Sequence, residues 1–173
     1  MKRTITATVT NTSGVMNRIT GLFARRNFNI ESITVGVTEN PDVSRMTFVV
    51  NVDNHRGLDQ VIKQLNKQVD VLKVRDITDE SIVARELALI KVVAAPQHRA
   101  EIEAVASPFR ASLIDVGRES VTVQVTGDQD KVEAMIDLLK PYGIKELART
   151  GVTAFKRSTK KTTIDHPRYS VIN

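Results

Sequence analysis

Apolar and polar residues alternate strictly from Thr4 to Thr10, near the start of the chain. An alternation with period two, in which β-branched side chains dominate, predicts a half-buried strand. After a short polar turn, the apolar residues recur at helical spacing and predict an amphipathic helix that ends near Arg25 and Arg26. The apolar positions of this predicted helix are Val15, Ile19, Leu22 and Phe23.

Three more strands and a second helix follow before residue 78. The strands are predicted at 28–38, 45–52 and 71–77, and the helix carries an apolar stripe at Leu58, Val61, Ile62 and Leu65. In the first of these strands the apolar parity shifts between Ile30 and Ile33, which predicts a β-bulge. The resulting order, β-α-β-β-α-β, is typical of two helices packed on one face of an antiparallel sheet.

The same order of elements repeats after a junction at 79–81. Pro96 is predicted to start the third helix, because proline is favoured in a first helical turn. The fourth helix is predicted to stop at 141–143. The strands of this second unit are predicted at 87–94, 111–116, 121–126 and 144–154. We therefore predict an α+β protein of two tandem ferredoxin-like βαββαβ domains, at 1–78 and 79–156, followed by a basic tail at 157–173.

Composition narrows the class of protein without indicating a function. A chain of 173 residues with 41% hydrophobic and 26% charged residues is ordinary for one or two globular domains. There is no cysteine, which excludes disulfide bonds and thiolate chemistry. The N-terminal residues alternate in polarity and no stretch is apolar enough for a membrane span, so we expect a cytoplasmic protein without a membrane partner.

The net charge of +5 is concentrated at the C-terminus, where the last 18 residues carry five Lys or Arg and one acidic residue. We expect this tail to be a solvated segment, with an anionic partner as the alternative. An RNA-recognition module has the same order of elements and stacks bases on aromatic side chains of its central strands. Here the third predicted strand holds only Phe48, and aromatic residues make up 4% of the chain. We therefore expect no nucleic-acid partner.

No constellation of catalytic side chains is recognisable in the sequence. The histidines His55, His98 and His166 fall in different segments without metal-ligand spacing. Glycine loops that bind phosphates or dinucleotides, and the nucleophile elbow of hydrolases, are absent. We therefore predict no catalytic residue, no metal site and no enzymatic activity in this chain.

The turn after the first predicted strand is the strongest candidate for a binding site. Strand, turn and helix meet at Gly14, where unpaired N–H groups coincide with the positive end of the helix dipole. A small anion, such as the carboxylate of an amino acid, fits that position. Alternatively, Thr12 or Ser13 caps the helix and the turn binds nothing. The matching turn of the second unit, 94–97, has no glycine and contains Pro96, so we expect it not to bind a ligand.

Three motifs carry a resemblance to a known family: N-x-S-G-V at 11–15, R-x-x-F-N-I-E-S at 25–32 and S-R-M-T at 44–47. Together they resemble the ACT regulatory domain and, more narrowly, the regulatory small subunits of acetohydroxyacid synthase, also called acetolactate synthase. The resemblance covers about residues 2–155. It implies an N-terminal ACT domain followed by a second, ACT-like or ferredoxin-like domain.

The resemblance implies a non-catalytic subunit that stimulates a large catalytic subunit. It also implies that the chain makes the enzyme sensitive to feedback inhibition by a branched-chain amino acid, with valine as the first choice over leucine and isoleucine. The thiamin diphosphate, magnesium and FAD of the complete enzyme are expected on the catalytic subunit, so no cofactor is expected in this chain. An RNA-binding module and a free-standing amino-acid sensor stay as alternatives.

The family's effector site lies between two ACT domains whose sheets join in a homodimer. The resemblance maps it onto Asn11, Gly14 and Val15 of one chain and onto Asn29 and Ile30 of the other. In this assignment the N–H groups of Gly14 and Val15 bind the effector's carboxylate, and the two asparagine amides pair with its charged groups. Val15 and Ile30 line a pocket for the aliphatic side chain, although in most such domains both would be core residues.

Overall fold

The computed structural model describes residues 1–158 of the 173-residue chain. Most of the predicted tail, including His166, lies outside these residues. The helices are α1 Val15–Arg25, α2 His55–Asn66, α3 Arg99–Ala106 and α4 Gln129–Leu139. The strands are β1 Lys2–Thr10, β2 Asn29–Val37, β3 Val43–Asn51, β4 Val71–Asp76, β5 Ile82–Val93, β6 Ser112–Val116, β7 Ser120–Gly127, β8 Ile144–Arg149 and β9 Thr153–Lys156.

The strands form two antiparallel sheets with the same order of strands. The first sheet has the order β2-β3-β1-β4, and the second has the order β6-β7-β5-β8. Each sheet carries two helices, so the predicted α+β class with two βαββαβ units is confirmed.

The core of the first unit lies between its sheet and the helices α1 and α2. Ile5, Ala7 and Val9 of β1 are buried there, as the alternation predicts. Phe48 of β3 packs against Phe23 of α1 with ring centroids 5.2 Å apart. Burying a large apolar side chain contributes about 1.5–3 kcal/mol, so this layer holds β1 and α1 together on either side of the turn that joins them.

The predicted bulge in the second strand is confirmed. The pairing between β2 and β3 shifts register between Ile30 and Ser32. A bulge inserts one extra residue into one strand and changes which side chains face the core. As a result Ile30 and Ile33 both pack against the helix-side core, although they are three residues apart.

The predicted last strand, 144–154, is wrong as a single element. The chain breaks at Gly151, which has φ +80, and forms two strands, β8 and β9. β9 pairs with the first residues of β5, whereas β8 pairs with the later ones. The sequence shows continuous β-type residues here, so the break depends on contacts with distant parts of the chain.

The segment after this break joins the two units. Val152 and Ala154 form a small core with Val49 and Ile77 of the first unit. The hydroxyl of Thr34 donates to the carbonyl oxygen of Val152 at 2.9 Å. The face of the first sheet opposite its helices is therefore partly covered by the second unit, instead of being fully solvated.

The start of the third helix also differs from the prediction. Pro96 opens a 3-10 turn that spans Pro96–His98, and the α-helix begins at Arg99. The proline provides a favourable backbone angle for a first turn, but it does not fix which type of helical turn follows.

Candidate functional site

The turn between β1 and α1 is closed by backbone conformation. Gly14 has φ +84, a left-handed conformation that favours glycine, and it is the residue that caps α1. Within the described part of the chain no side chain forms a cap hydrogen bond with this helix, so the alternative of a cap by Thr12 or Ser13 is wrong. The N–H of Val15 instead points to the carbonyl oxygen of Thr12 at a long 3.4 Å.

Several N–H groups of this turn have no acceptor among the described residues. Among residues 1–158, no acceptor receives the N–H groups of Ser13, Gly14, Met16 or Asn17. They lie at the positive end of the α1 dipole, where an anion is favoured. The arrangement fits a carboxylate, with Gly14 as the better donor of the predicted pair because the N–H of Val15 already has an acceptor.

The Asn11 side chain holds the turn in place. Its Nδ2 donates to the carbonyl oxygen of Pro41 at 2.8 Å, and its Oδ1 accepts from the hydroxyl of Ser44 at 3.1 Å. An amide has two N–H donors and two acceptor lone pairs. Asn11 therefore keeps one donor and one acceptor for a ligand while it ties β1 to the start of β3.

Val15 and Ile30 belong to the helix-side core of the first unit. The Val15 side chain is buried, and Ile30 is half-buried against the same cluster. Their predicted role as the lining of an aliphatic pocket is therefore restricted to the part of Ile30 that stays accessible. Within one chain, packing explains both residues.

Asn29 lies at the opposite end of the sheet from Asn11. Asn29 of β2 and Lys2 of β1 both pair with Asn51, whereas the turn follows Thr10 at the other end of β1. A strand of nine residues separates the two ends, which at ~3.3 Å per residue is roughly 30 Å. The structure therefore does not bring the two predicted half-sites together within one chain.

The surroundings of Asn29 are polar and open. Asn29 borders a cleft of about 580 Å³ between the end of α1 and the start of α2. The side chains that share this cleft include Arg26, Asn51, Asn54 and Gln60. Asn54 accepts a hydrogen bond from the N–H of Gly57 and caps α2, so the cleft has a fixed wall.

Sequence reasoning missed Arg18 and Asp70 beside the turn. The Nε of Arg18 donates to Oδ2 of Asp70 at 2.7 Å, and the hydroxyl of Thr10 donates to the other oxygen of Asp70 at 3.3 Å. The Arg18 guanidinium holds the pKa of Asp70 below its usual range, so this ion pair persists at neutral pH. The position of Arg18 one helical turn after Gly14 was the signal available in the sequence.

The edge strand β2 exposes both its backbone and apolar side chains. Among the described residues, β2 pairs with β3 alone, so its other side is unpaired. Val35 and Val37, near the end of this strand, are 44% and 59% exposed. An unpaired strand edge with apolar side chains is a surface suited to pairing with another strand.

The structure also bears on metal binding, base stacking and membrane spans. Within residues 1–158 no three His, Cys, Asp or Glu side chains are arranged to hold a metal ion, and His98 faces Glu101 at 3.4 Å. The Phe48 ring is buried in the core, where it cannot stack on a base. None of the helices in this part of the chain is long and apolar enough to cross a bilayer.

Comparison with known proteins identifies the family. Residues 5–73 match the model described as the AHAS small subunit-like ACT domain, and residues 85–158 match the model described as the small subunit of acetolactate synthase. The chain is 62% identical to the acetolactate synthase small subunit of Bacillus subtilis, over 99% of this chain and 100% of that protein. It is 56% identical to the probable acetolactate synthase small subunit of Archaeoglobus fulgidus, over 93% of this chain and 100% of that protein.

A solved structure agrees with these relatives. The crystal structure of the acetolactate synthase small subunit from Thermotoga maritima superposes with a TM-score of 0.82 at 41% identity and covers 92% of this chain and 99% of that one. The chain therefore belongs to the family of acetolactate synthase small subunits, the regulatory subunits of an enzyme whose catalytic activity lies on its large subunit.

Proposed function

We propose that this chain forms a homodimer that binds a branched-chain amino acid, valine by first choice, and so confers feedback inhibition on the catalytic large subunit. The same chain raises the activity of that subunit when no effector is bound. Thiamin diphosphate, magnesium and FAD belong, in this proposal, to the catalytic subunit.

The observation that carries the proposal is that the two half-sites lie at opposite ends of one sheet with an unpaired edge strand. The turn at Gly14 follows the inner strand β1, Asn29 begins β2 at the other end of the sheet, and β2 is one of the two edge strands. If β2 pairs antiparallel with β2 of a second chain, the start of one strand meets the end of the other. Asn29 of one chain then lies beside the end of the partner's sheet that carries its turn.

The position of α1 supports the same arrangement. In this topology α1 crosses over β3 to reach β2, and it packs against β2, while α2 packs against β4. The C-terminal part of α1 therefore lies on the side of the sheet where a second chain would pair, while its first turn stays at the end of β1. The exposed Val35 and Val37 lie on this strand, and pairing would remove them from water.

The chemistry of the two half-sites matches an amino acid. The free N–H groups at Gly14 are donors for the effector's carboxylate. Asn11 keeps one donor and one acceptor, and the exposed Asn29 amide offers an acceptor for the ammonium group. The accessible part of Ile30 then contacts the aliphatic side chain.

Reconstitution with the catalytic subunit tests this function. We expect the purified chain alone to form no acetolactate, and the catalytic subunit to become more active when the chain is added. We expect valine to reverse this gain in a saturable manner, and glycine, which lacks the aliphatic side chain, to have little effect at equal concentration. Acetolactate formation by the chain alone, or a reconstituted enzyme indifferent to valine, leucine and isoleucine, would contradict the proposal. Binding of valine without any effect on the catalytic subunit would favour a free-standing sensor.

A further inference from the structure

The guanidinium group of Arg18 lies directly over the turn at Gly14. A Cβ atom built on Gly14 would be 3.0 Å from Nη1 of Arg18. The Arg18 side chain therefore bends back from the helix towards the same surface that presents the free N–H groups of the turn. This proximity is a property of the folded chain, because Arg18 is anchored by Asp70, a residue that is distant in the sequence.

Asp70 holds Arg18 through one nitrogen only. The 2.7 Å hydrogen bond joins Nε of Arg18 to Asp70, while Nη1 and Nη2 of Arg18 find no acceptor among residues 1–158. The Arg18 side chain is 46% exposed and that of Asp70 is 14% exposed. The half of the guanidinium that points away from Asp70 is therefore open to a ligand, and its donors match the planar geometry of a carboxylate.

The positive charge at the start of α1 is not fully balanced by the neighbouring acidic groups that the structure describes. A cation near the start of a helix is disfavoured by the helix dipole. Asp70 compensates the charge of Arg18, and its two oxygens are already engaged by Arg18 and Thr10. The first turn of α1 itself contains no acidic residue that would balance its partial positive charge.

We infer that Arg18 recognises the carboxylate of the effector, together with the N–H groups at Gly14. Asp70 is the positioning residue that keeps the guanidinium over the turn. This inference rests on the proposed function, because it assigns the charged contact within the same site. It also explains why Gly14 has no side chain, since a Cβ at this position would occupy the gap between turn and guanidinium.

Calorimetric titration of the full-length chain tests the role of Arg18, with valine and valinamide as the two probes. Valinamide keeps the ammonium group and the aliphatic side chain but lacks the carboxylate charge. We expect Arg18→Gln to weaken valine binding by about ten- to a hundredfold, as for loss of a charged hydrogen bond. Valinamide binding, weaker in the parent, should change less than about threefold, since a difference of that size is below 1 kcal/mol. Arg18→Lys keeps the charge but loses the planar fork, so its affinity for valine should lie between that of the parent and that of Arg18→Gln.

Two further variants separate ligand recognition from structural support. Lys145→Gln removes one exposed positive charge from β8 of the second unit and should bind valine like the parent. Asp70→Asn breaks the ion pair but keeps Arg18, so it should retain more valine affinity than Arg18→Gln. If Arg18 only ties α1 to β4, Arg18→Gln and Asp70→Asn will have equal effects and will weaken both probes alike.

The outcomes distinguish this inference from the proposed function. If Gly14→Asp abolishes valine binding while Arg18→Gln binds valine like Lys145→Gln, Arg18 does not recognise the carboxylate and the site at the turn stands. If Gly14→Asp and Arg18→Gln both bind valine like the parent, the effector does not bind at this turn and both proposals fail.

Discussion

Gly14 occupies a backbone conformation, φ +84, that side chains of L-amino acids rarely adopt. The sequence predicted a tight turn there, because a glycine stands between a strand pattern and a helix pattern. It did not predict that Gly14 itself caps α1, nor that Arg18 lies over the turn, because Arg18 is held by Asp70, 52 residues later in the chain. The spacing of Gly14 and Arg18 is a local signal, but the anchor at Asp70 follows from the fold of the whole unit and leaves no local pattern.

Substitution of Gly14 should remove effector sensitivity without unfolding the chain. Gly14→Asp places a carboxylate beside Arg18 and the free N–H groups, where the effector's carboxylate is proposed to bind. The left-handed backbone adds a cost of about 1–2 kcal/mol in stability. Gly21→Asp is the matched control, because a Cβ atom added at Gly21 meets no other atom of residues 1–158 within 4 Å. The measurement is a valine titration of the reconstituted enzyme, with a thermal melt of each variant. Equal valine sensitivity of Gly14→Asp and Gly21→Asp would contradict the site.

Asn29 provides the corresponding test at the other end of the sheet. Asn29→Ala removes an exposed amide and should weaken effector affinity by about ten- to a hundredfold, because a hydrogen bond to a charged group contributes ~1.5–3 kcal/mol. Asn66→Ala is the control, since Asn66 is an exposed asparagine whose side chain, among residues 1–158, bonds only to its own helix at Ile62. The concentration of valine for half-maximal inhibition is measured for both variants. If Asn29→Ala and Asn66→Ala need the same concentration of valine for half-maximal inhibition, the effector does not bind at Asn29.

The helices and most strands follow from the period of apolar residues, and the structure confirms them from β1 to α4. The bulge in β2 was also predictable, because the parity of apolar residues changes within the strand. The split of the last predicted strand at Gly151 was not. Gly151 packs against Ser32 and Thr34 of the first unit, where an added Cβ would approach to 3.2 Å, and this contact joins residues more than a hundred positions apart.

The edge strand β2 should be required for dimerisation. Val35→Lys combined with Val37→Lys places positive charges of both chains at the proposed strand pairing, where like charges and buried lysines are unfavourable. We expect the double variant to have the mass of one chain, 19.2 kDa, in light scattering at micromolar concentration, and to lose valine binding. Val116→Lys, on the exposed edge strand β6 of the second unit, is the control and should stay dimeric. A dimeric double variant would contradict pairing through β2.

At the scale of the whole molecule, the two units are joined by the segment that contains Val152 and Ala154, which packs on the first sheet, and the long strand β5 organises the second unit. β5 pairs with β9 over its first residues and with β7 and β8 over the rest. Arg149 at the end of β8 binds Glu86 of β5 and Glu133 of α4, and these carboxylates raise the pKa of the arginine. The second unit is thus fixed by its own ion pairs and by the small core around Val152.

The central claim is that each effector site is built from two chains, and mixed dimers test it most directly. Chains with Gly14→Asp and chains with Asn29→Ala are co-expressed with two different tags, and dimers that carry both tags are isolated. One site of such a dimer combines an intact turn with an intact Asn29, while the other site carries both defects. We predict that neither homodimer of a variant binds valine with parental affinity, and that the mixed dimer binds with parental affinity at about half of the parent's capacity, because a twofold dimer contains two equivalent sites. A mixed dimer without any high-affinity valine site would contradict a site shared between two chains.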